Sequence, residues 1–250
     1  MQAHFLKMLR PLVLAMPLLA GGAGAAPLDN TVAFDGVYIP ALALTSAAQT
    51  EEAAKERAHA AMRRLEARWL QLRPGLQQEL GGPAAGRTLA KVDGHLAAAR
   101  RALANQSFAH AHEALEEVRV ELLKARQKKN IDYFVDRLTQ FHEPMEALVL
   151  DGTRLKPQEL TAAKRDAMEK TFVEARVLWE GIEQNRPDPR VYALSPARAA
   201  QLDKALLDER AALSRLSDAL RAPDAAALLK AAAALKPAFA RAFTAFGQTD

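Results

Sequence analysis

The sequence predicts an all-α fold, an internally duplicated helical bundle in which two up-down helical units follow a cleaved signal peptide. Three observations support it: apolar residues recur every three or four positions, the alternation typical of strands is almost absent, and two stretches of about 110 residues resemble each other. The predicted organisation is a signal peptide at 1–25, a first bundle repeat at 26–129 and a second bundle repeat at 130–250.

The first 25 residues have the composition of a secretory signal. Lys7 and Arg10 provide a basic start, Pro11–Ala20 is a short apolar run, and Ala23-Gly24-Ala25 is an A-x-A-like cleavage site. The apolar run is shorter than the roughly 20 residues that span a bilayer. We therefore expect export to the periplasm, with secretion as the alternative, and no membrane span in the mature chain.

Cysteine content and charge exclude several classes of function. The chain has no cysteine, which excludes disulfides, thiolate metal sites, a lipid-modified cysteine and covalently attached haem. Removal of Lys7 and Arg10 lowers the formal net charge from +4 to +2. The remaining Lys and Arg alternate with Glu and Asp along the predicted helices, as on a solvated surface. We therefore expect no nucleic-acid binding.

Three helices are predicted in the first half from their apolar stripes. The first runs from 50 to 73 and ends at Pro74-Gly75, after which 81–86 is a linker rich in glycine. The second runs from 88 to 105. The third begins after Ser107, which is a suitable N-cap residue.

Four segments are predicted to be helical in the second half. An apolar stripe extends over 131–148, and a long helix follows over 157–184. Ser195-Pro196 has the favoured order of a cap residue and a proline at the first helical position, so a helix begins there and ends at Arg221. The last helix is predicted at 224–246.

The two halves share a pattern, which is why a tandem duplication is predicted. The octapeptide "VYIPALAL" at 37–44 matches "FHEPMEAL" at 141–148 in the position of its proline. A long helix with a tryptophan near its end follows each octapeptide, and these tryptophans are Trp69 and Trp179. Each half then ends in a helical hairpin, so each is able to form an up-down bundle.

The closing segment "LSDALRAPDAAALLKAAAALKPAFARAFTAFG" resembles the helical hairpins of small periplasmic four-helix bundles, such as the soluble cytochromes b and c-prime. The resemblance covers about the last forty residues and their counterpart at 88–126, and it concerns architecture alone. It implies a bundle fold. The c-type haem motif is missing, so no haem is expected.

Two His-Glu-x-x-Glu phrases are the candidate site. His112 and Glu116 in "HEALEEVR" are four positions apart, and so are His142 and Glu146 in "FHEPMEAL". Residues at this spacing share one face of a helix, so each pair is a potential two-ligand clamp. If the chain turns back near Lys129, each histidine faces the glutamate of the other pair.

Imidazole and carboxylate ligands together suit a divalent transition metal such as Zn, Cu or Fe. Helical bundles build such sites from inward Glu and His on facing helices. The predicted metal ligands are therefore His112, Glu116, His142 and Glu146.

Two alternatives stay open at this point. The segment "ARQKKNID" has no strong breaker, so residues 107–150 could form one continuous helix that would separate the two phrases. The phrases are also compatible with partly exposed helix surface, on which Glu116 pairs with Arg119.

The sequence thus predicts a periplasmic protein that is not an enzyme and that binds a transition metal between the helices at 107–128 and 131–150. The alternative is a protein-interaction or envelope-stress helper with a periplasmic protein partner and no metal site, which an exposed apolar patch would favour.

Overall fold

The computed structural model describes residues 28–248, so the predicted signal peptide at 1–25 lies outside the described residues. Within residues 28–248 nine α-helices and two short 3-10 helices follow one another without a strand, which confirms the all-α class. The α-helices are α1 Asp29–Ala47, α2 Glu52–Glu79, α3 Gly86–Ala104, α4 Phe108–Lys128, α5 Phe134–Arg154, α6 Ala162–Gln184, α7 Pro196–Arg221, α8 Ala225–Ala233 and α9 Lys236–Thr244. The 3-10 helices are Gly82–Ala85 and Pro157–Glu159.

Pairs of packed helices form the framework. Helix α1 packs along α2, and α3 packs along α4. In the second half α5 packs against both α6 and α8, while α7 packs against α9. Contacts of α1 with α4 and α9, and of α4 with α5, join the two sets of helices around one continuous hydrophobic core. The predicted boundary at 129/130 falls in the turn between α4 and α5.

The apolar stripes that predict the helices face the core. On α2 the stripe from Ala58 to Leu72 is buried, and Trp69 is only 4% exposed. Trp179 on α6 is 2% exposed and packs on Phe141 with ring centroids 4.9 Å apart. Burying a large aromatic ring removes more apolar surface from water than any other side chain, so these rings contribute strongly to stability. No helix in residues 28–248 is both long and apolar enough to cross a membrane.

Helix α2 does not end at Pro74-Gly75 as predicted; it continues to Glu79. Pro74 lacks the N–H that would bond the carbonyl of Leu70. Leu70 is 76% exposed, so water is able to satisfy that carbonyl. Leu76 in the extra turn is fully buried, and its burial offsets the cost of the interior proline.

The extra turn of α2 also explains how α1 begins. Glu79 accepts hydrogen bonds from the backbone N–H groups of Asn30 at 2.7 Å and Thr31 at 3.0 Å. The N-cap residue of α1 makes no capping hydrogen bond with its side chain. Glu79 of α2 therefore caps the first turn of α1.

Two further boundaries differ from the prediction. The segment at 224–246 forms two helices, because α8 ends at Ala233 and α9 restarts at Lys236 with Pro237 in its first turn. The segment predicted to be helical from 157 begins with the 3-10 helix, and α6 starts only after Thr161, whose side chain accepts from Lys164 N at 3.2 Å. The predicted Ser195 cap of α7 is confirmed.

The interior proline of α1 is accommodated by the end of the chain. Pro40 leaves the carbonyl of Gly36 without its helical donor, and the backbone N–H of Gln248 donates to that oxygen at 2.6 Å. The neighbouring Gly247 lies against the ring of Pro40, and a Cβ there would come within 2.9 Å of Pro40 Cδ. The chain after α9 thus completes the hydrogen bonding of α1.

Candidate functional site

Helices α4 and α5 form a hairpin, so the alternative of one continuous helix is wrong. Helix α4 ends at Lys128 and α5 begins at Phe134. Asn130 adopts a left-handed conformation with φ of 53°, which asparagine tolerates better than most residues and which reverses the chain.

Two contacts across this hairpin fix its register. The guanidinium of Arg126 donates two hydrogen bonds to Asp136, from Nε to Oδ2 at 2.7 Å and from a terminal nitrogen to Oδ1 at 2.5 Å. Further along, Arg119 donates to Nδ1 of His142 at 2.6 Å. These pairs centre the turn on residues 130–131, about two residues later than the predicted centre. The register therefore differs by about one helical turn, and Arg119, not Glu116, makes the direct contact with His142.

All four predicted site residues nevertheless line one pocket. It has a volume of about 380 Å³ and lies between α1, α4, α5 and α9. Its other lining residues are Leu42, Ala43, Ser46, Arg119, Met145, Lys236, Phe239, Ala240, Phe243 and Thr244. A mostly apolar lining with a few polar groups of both charges is typical of small-molecule sites.

His112 is held in one tautomer by α1. Its Nδ1 lies 3.1 Å from the carbonyl oxygen of Leu42 and 3.4 Å from Oγ1 of Thr45. Because a carbonyl only accepts, Nδ1 carries the proton and Nε2 has a free lone pair. Nε2 lies 3.4 Å from Oε1 of Glu116. Burial lowers the pKa of His112, so the ring is neutral at pH 7.

His142 has the opposite tautomer. Its Nδ1 accepts from Arg119, and a guanidinium only donates, so the proton lies on Nε2. Burial, together with the positive charges of Arg119 and Lys236, lowers the pKa of His142 to about 2. His142 is therefore a neutral hydrogen-bond donor at Nε2, and this nitrogen offers no lone pair to a cation.

Arg119 is the central residue of the site. It is 6% exposed, forms an ion pair with Glu116, bonds His142, and stacks over Phe243 at 5.5 Å from the ring centroid. Its Nε is buried without a hydrogen-bond partner. The pairing with Glu116 was the expected surface contact, since the two are three residues apart on one helix. The burial of Arg119 and its contact with His142 have no signal in the local sequence.

Glu146 is the acidic side chain that α5 contributes to the pocket. Its Oε1 lies 3.3 Å from Nζ of Lys236 on α9, and its Oε2 is buried without a hydrogen-bond partner. Burial raises the pKa of the Glu116 carboxyl, and the charge of Arg119 partly offsets this. Lys236 comes from a distant part of the chain and was not predicted as a site residue.

The four predicted residues are not arranged as a complete metal-binding site. Among residues 28–248 no group of three or more His, Asp or Glu side chains is placed to hold one ion. Arg119 and Lys236 bring two positive charges into the same pocket. The metal-binding role of the four predicted residues stays a prediction.

Comparisons with protein-family models, with curated proteins and with solved structures found no match to this chain. The resemblance to the soluble cytochromes b and c-prime therefore has no support beyond the shared all-α architecture.

Proposed function

We propose that this chain is an exported, non-enzymatic binding protein, and that it takes a small zwitterionic ligand in the pocket between α1, α4, α5 and α9. Zwitterionic here means carrying one positive and one negative group, as an amino acid does. The chain has no cysteine nucleophile, and Arg119 occupies the lone pair of His142, which removes that ring as a general base.

One observation carries this proposal. Arg119 Nε is a buried cationic donor without a partner, and Glu146 Oε2 is a buried anionic acceptor without a partner. Each such group costs about 1–3 kcal/mol, and more when charged. A ligand carboxylate beside Arg119 and a ligand ammonium beside Glu146 would compensate both charges from the pocket that the two residues line.

The charge balance of the pocket supports the same ligand. Arg119 and Lys236 are matched by Glu116 and Glu146, and both histidines are neutral. A ligand without net charge leaves this balance unchanged, whereas a strongly charged ligand would leave one sign uncompensated. Leu42, Met145, Phe239 and Phe243 provide an apolar wall for the rest of the ligand.

Calorimetric titration with norleucine tests the proposal. We expect the N-acetyl derivative and the methyl ester of norleucine to bind at least tenfold more weakly, because each lacks one charge. Arg119→Met and Glu146→Gln should each lose binding, while Arg100→Met on α3 serves as the matched control. Equal affinity for the singly charged analogues, or no binding of norleucine by the wild type, contradicts the proposal.

A second candidate function is transition-metal binding at His112 and Glu116. The Nε2 to Oε1 distance of 3.4 Å equals the spacing of two ligands that each lie ~2.1 Å from a tetrahedral ion. The hydrogen bond from Nδ1 to Leu42 orients the ring as metal-binding histidines are commonly oriented. Glu146 is the third predicted ligand that remains available, whereas the protonated Nε2 of His142 is not.

Titration with Zn²⁺, Cu²⁺ and Fe²⁺ tests this second candidate. We expect His112→Ala to lose at least tenfold in affinity and His142→Ala to lose much less, with His110→Ala as the control at an exposed position. No metal binding by the wild type, or equal loss in all three variants, would remove the candidate.

The duplication is also part of the proposal. It is supported by the interior prolines Pro40 of α1 and Pro144 of α5, each followed by a long helix. Helices α1 and α4 belong to the first proposed repeat, and α5 and α9 belong to the second, so the pocket lies where the repeats meet. The protein-interaction alternative stays a prediction. In the described range the exposed large apolar side chains lie on separate elements, apart from Val173 and Val177 on α6.

A further inference from the structure

A second cavity adjoins the pocket. It has a volume of about 470 Å³ and lies between α1, α2 and α9. Ala43 of α1 and Thr244 of α9 line both the pocket and this cavity, so the two spaces meet at these side chains. Both side chains are small.

Most of the cavity wall is apolar. Ile39, Pro40, Leu44 and Ala60 form its walls, and they offer no charged group to a ligand. The cationic side chains of the cavity belong to Arg57 and Arg64, which are exposed on α2. The cavity thus offers apolar walls, flanked by two exposed arginines, beside the charged cluster of the pocket.

We infer that the ligand is a single-chain amphiphile, with its zwitterionic head between Arg119 and Glu146 and its alkyl chain running past Ala43 into the cavity beside α2. This inference rests on the proposed function of the pocket and adds the chemical class of the ligand. Burial of the chain would be driven by removal of methylene groups from water.

A series of linear 2-amino acids with 4, 6, 8 and 10 carbons tests the inference, because the head group stays constant while the chain grows. We expect the wild-type affinity to rise about fourfold for each added methylene that becomes buried. Calorimetry provides the dissociation constant of each member.

The variant Ala60→Phe narrows the cavity from α2, and Ala60 does not line the pocket. We expect it to bind the 4-carbon ligand with the wild-type affinity and to lose the gain at 8 and 10 carbons. Ala43→Phe places a ring on a side chain that lines both spaces, and it should weaken the 8- and 10-carbon ligands more than the 4-carbon ligand. Ala90→Phe at an exposed position of α3 is the matched control.

The outcomes separate the inference from the proposed function. Affinity that does not change with chain length overturns the inference and leaves the zwitterion pocket intact. Equal weakening of short and long ligands by both cavity variants overturns the path of the chain. No binding of any member overturns the proposed function itself.

Discussion

A terminal guanidinium nitrogen of Arg119 donates to Nδ1 of His142 at 2.6 Å, and the same nitrogen pairs with the carboxylate of Glu116. This one buried cation therefore joins the two helices on which the His-Glu phrases lie. It also fixes the imidazole as a neutral donor. The chemistry of the site follows from this contact more than from the two phrases themselves.

The tautomer of His142 is directly measurable. We expect ¹⁵N-detected NMR to show the proton on Nε2 and no protonation of the ring between pH 7 and pH 5, because its pKa is lowered to about 2. In Arg119→Met the pKa should rise, since one positive charge is removed while burial remains. His110, which is exposed, provides a second imidazole signal. Protonation of His142 near pH 6 in the wild type would contradict this assignment.

The buried acid Glu209 should make stability fall as pH rises. It lies on α7 and is 0% exposed. Burial raises its pKa to about 8, although the Phe239 amide, Arg241 and Arg215 partly oppose this.

The sign follows from proton linkage. In the unfolded chain Glu209 ionises near pH 4.3, but in the folded protein it stays protonated to about pH 8. Stability is therefore lost progressively between these values, on the order of 5 kcal/mol in total. Glu209→Gln should remove this dependence, equalling the wild type at pH 4 and exceeding it at pH 8.5 in urea unfolding. Glu169→Gln, at an exposed position of α6, is the control. Parallel pH profiles for Glu209→Gln and the wild type would show that Glu209 ionises freely.

Gly152 permits the close contact of α5 with α8. A Cβ at this position would lie 2.5 Å from the carbonyl oxygen of Leu229 and 2.6 Å from the backbone nitrogen of Ala233. Because backbone atoms cannot move aside cheaply, Gly152→Ala should lower the free energy of unfolding by about 2–3 kcal/mol. Gly94→Ala on α3 meets no atom within 4 Å and should raise it by about 0.5–1 kcal/mol. Chemical denaturation of both variants measures the difference, and equal effects would refute the predicted contact.

The hydroxyl groups of two buried tyrosines should differ in their contributions to the free energy of unfolding. Tyr38 donates to the carbonyl of Leu115 at 2.7 Å, and Tyr133 donates to Oδ2 of Asp35 at 2.7 Å. Tyr38→Phe should cost about 1 kcal/mol, as for an ordinary hydrogen bond. Tyr133→Phe should cost about 2 kcal/mol, because it leaves a buried carboxylate without its donor. Thermal unfolding at pH 7 ranks the two variants, and a larger loss for Tyr38→Phe would be inconsistent with this account.

The helices were predictable because their signals are local. The stripe from Ala58 to Leu72 and the cap at Ser195 depend only on residues a few positions apart, and both are found as expected. The predicted end of α2 at Pro74 was wrong because the helix continues to Glu79. Whether water can bond the unpaired carbonyl of Leu70 depends on the exposure of Leu70 in the folded protein, which the local sequence does not show.

The site was predictable only in part for the same reason. The four residues of the two phrases line one pocket because α4 and α5 form a hairpin. The spacing of the phrases in the sequence was compatible with this hairpin. The register depends on Arg126 and Asp136, whose pairing across the turn is set by the conformation at Asn130. Lys236 reaches the pocket from α9, and no local pattern links it to α5.

The bond from Gln248 to the open carbonyl of Gly36 has a consequence for biogenesis. Helix α1 obtains this main-chain partner from a residue that follows α9. A polypeptide that has not been synthesised as far as Gln248 therefore cannot complete the hydrogen bonding of α1.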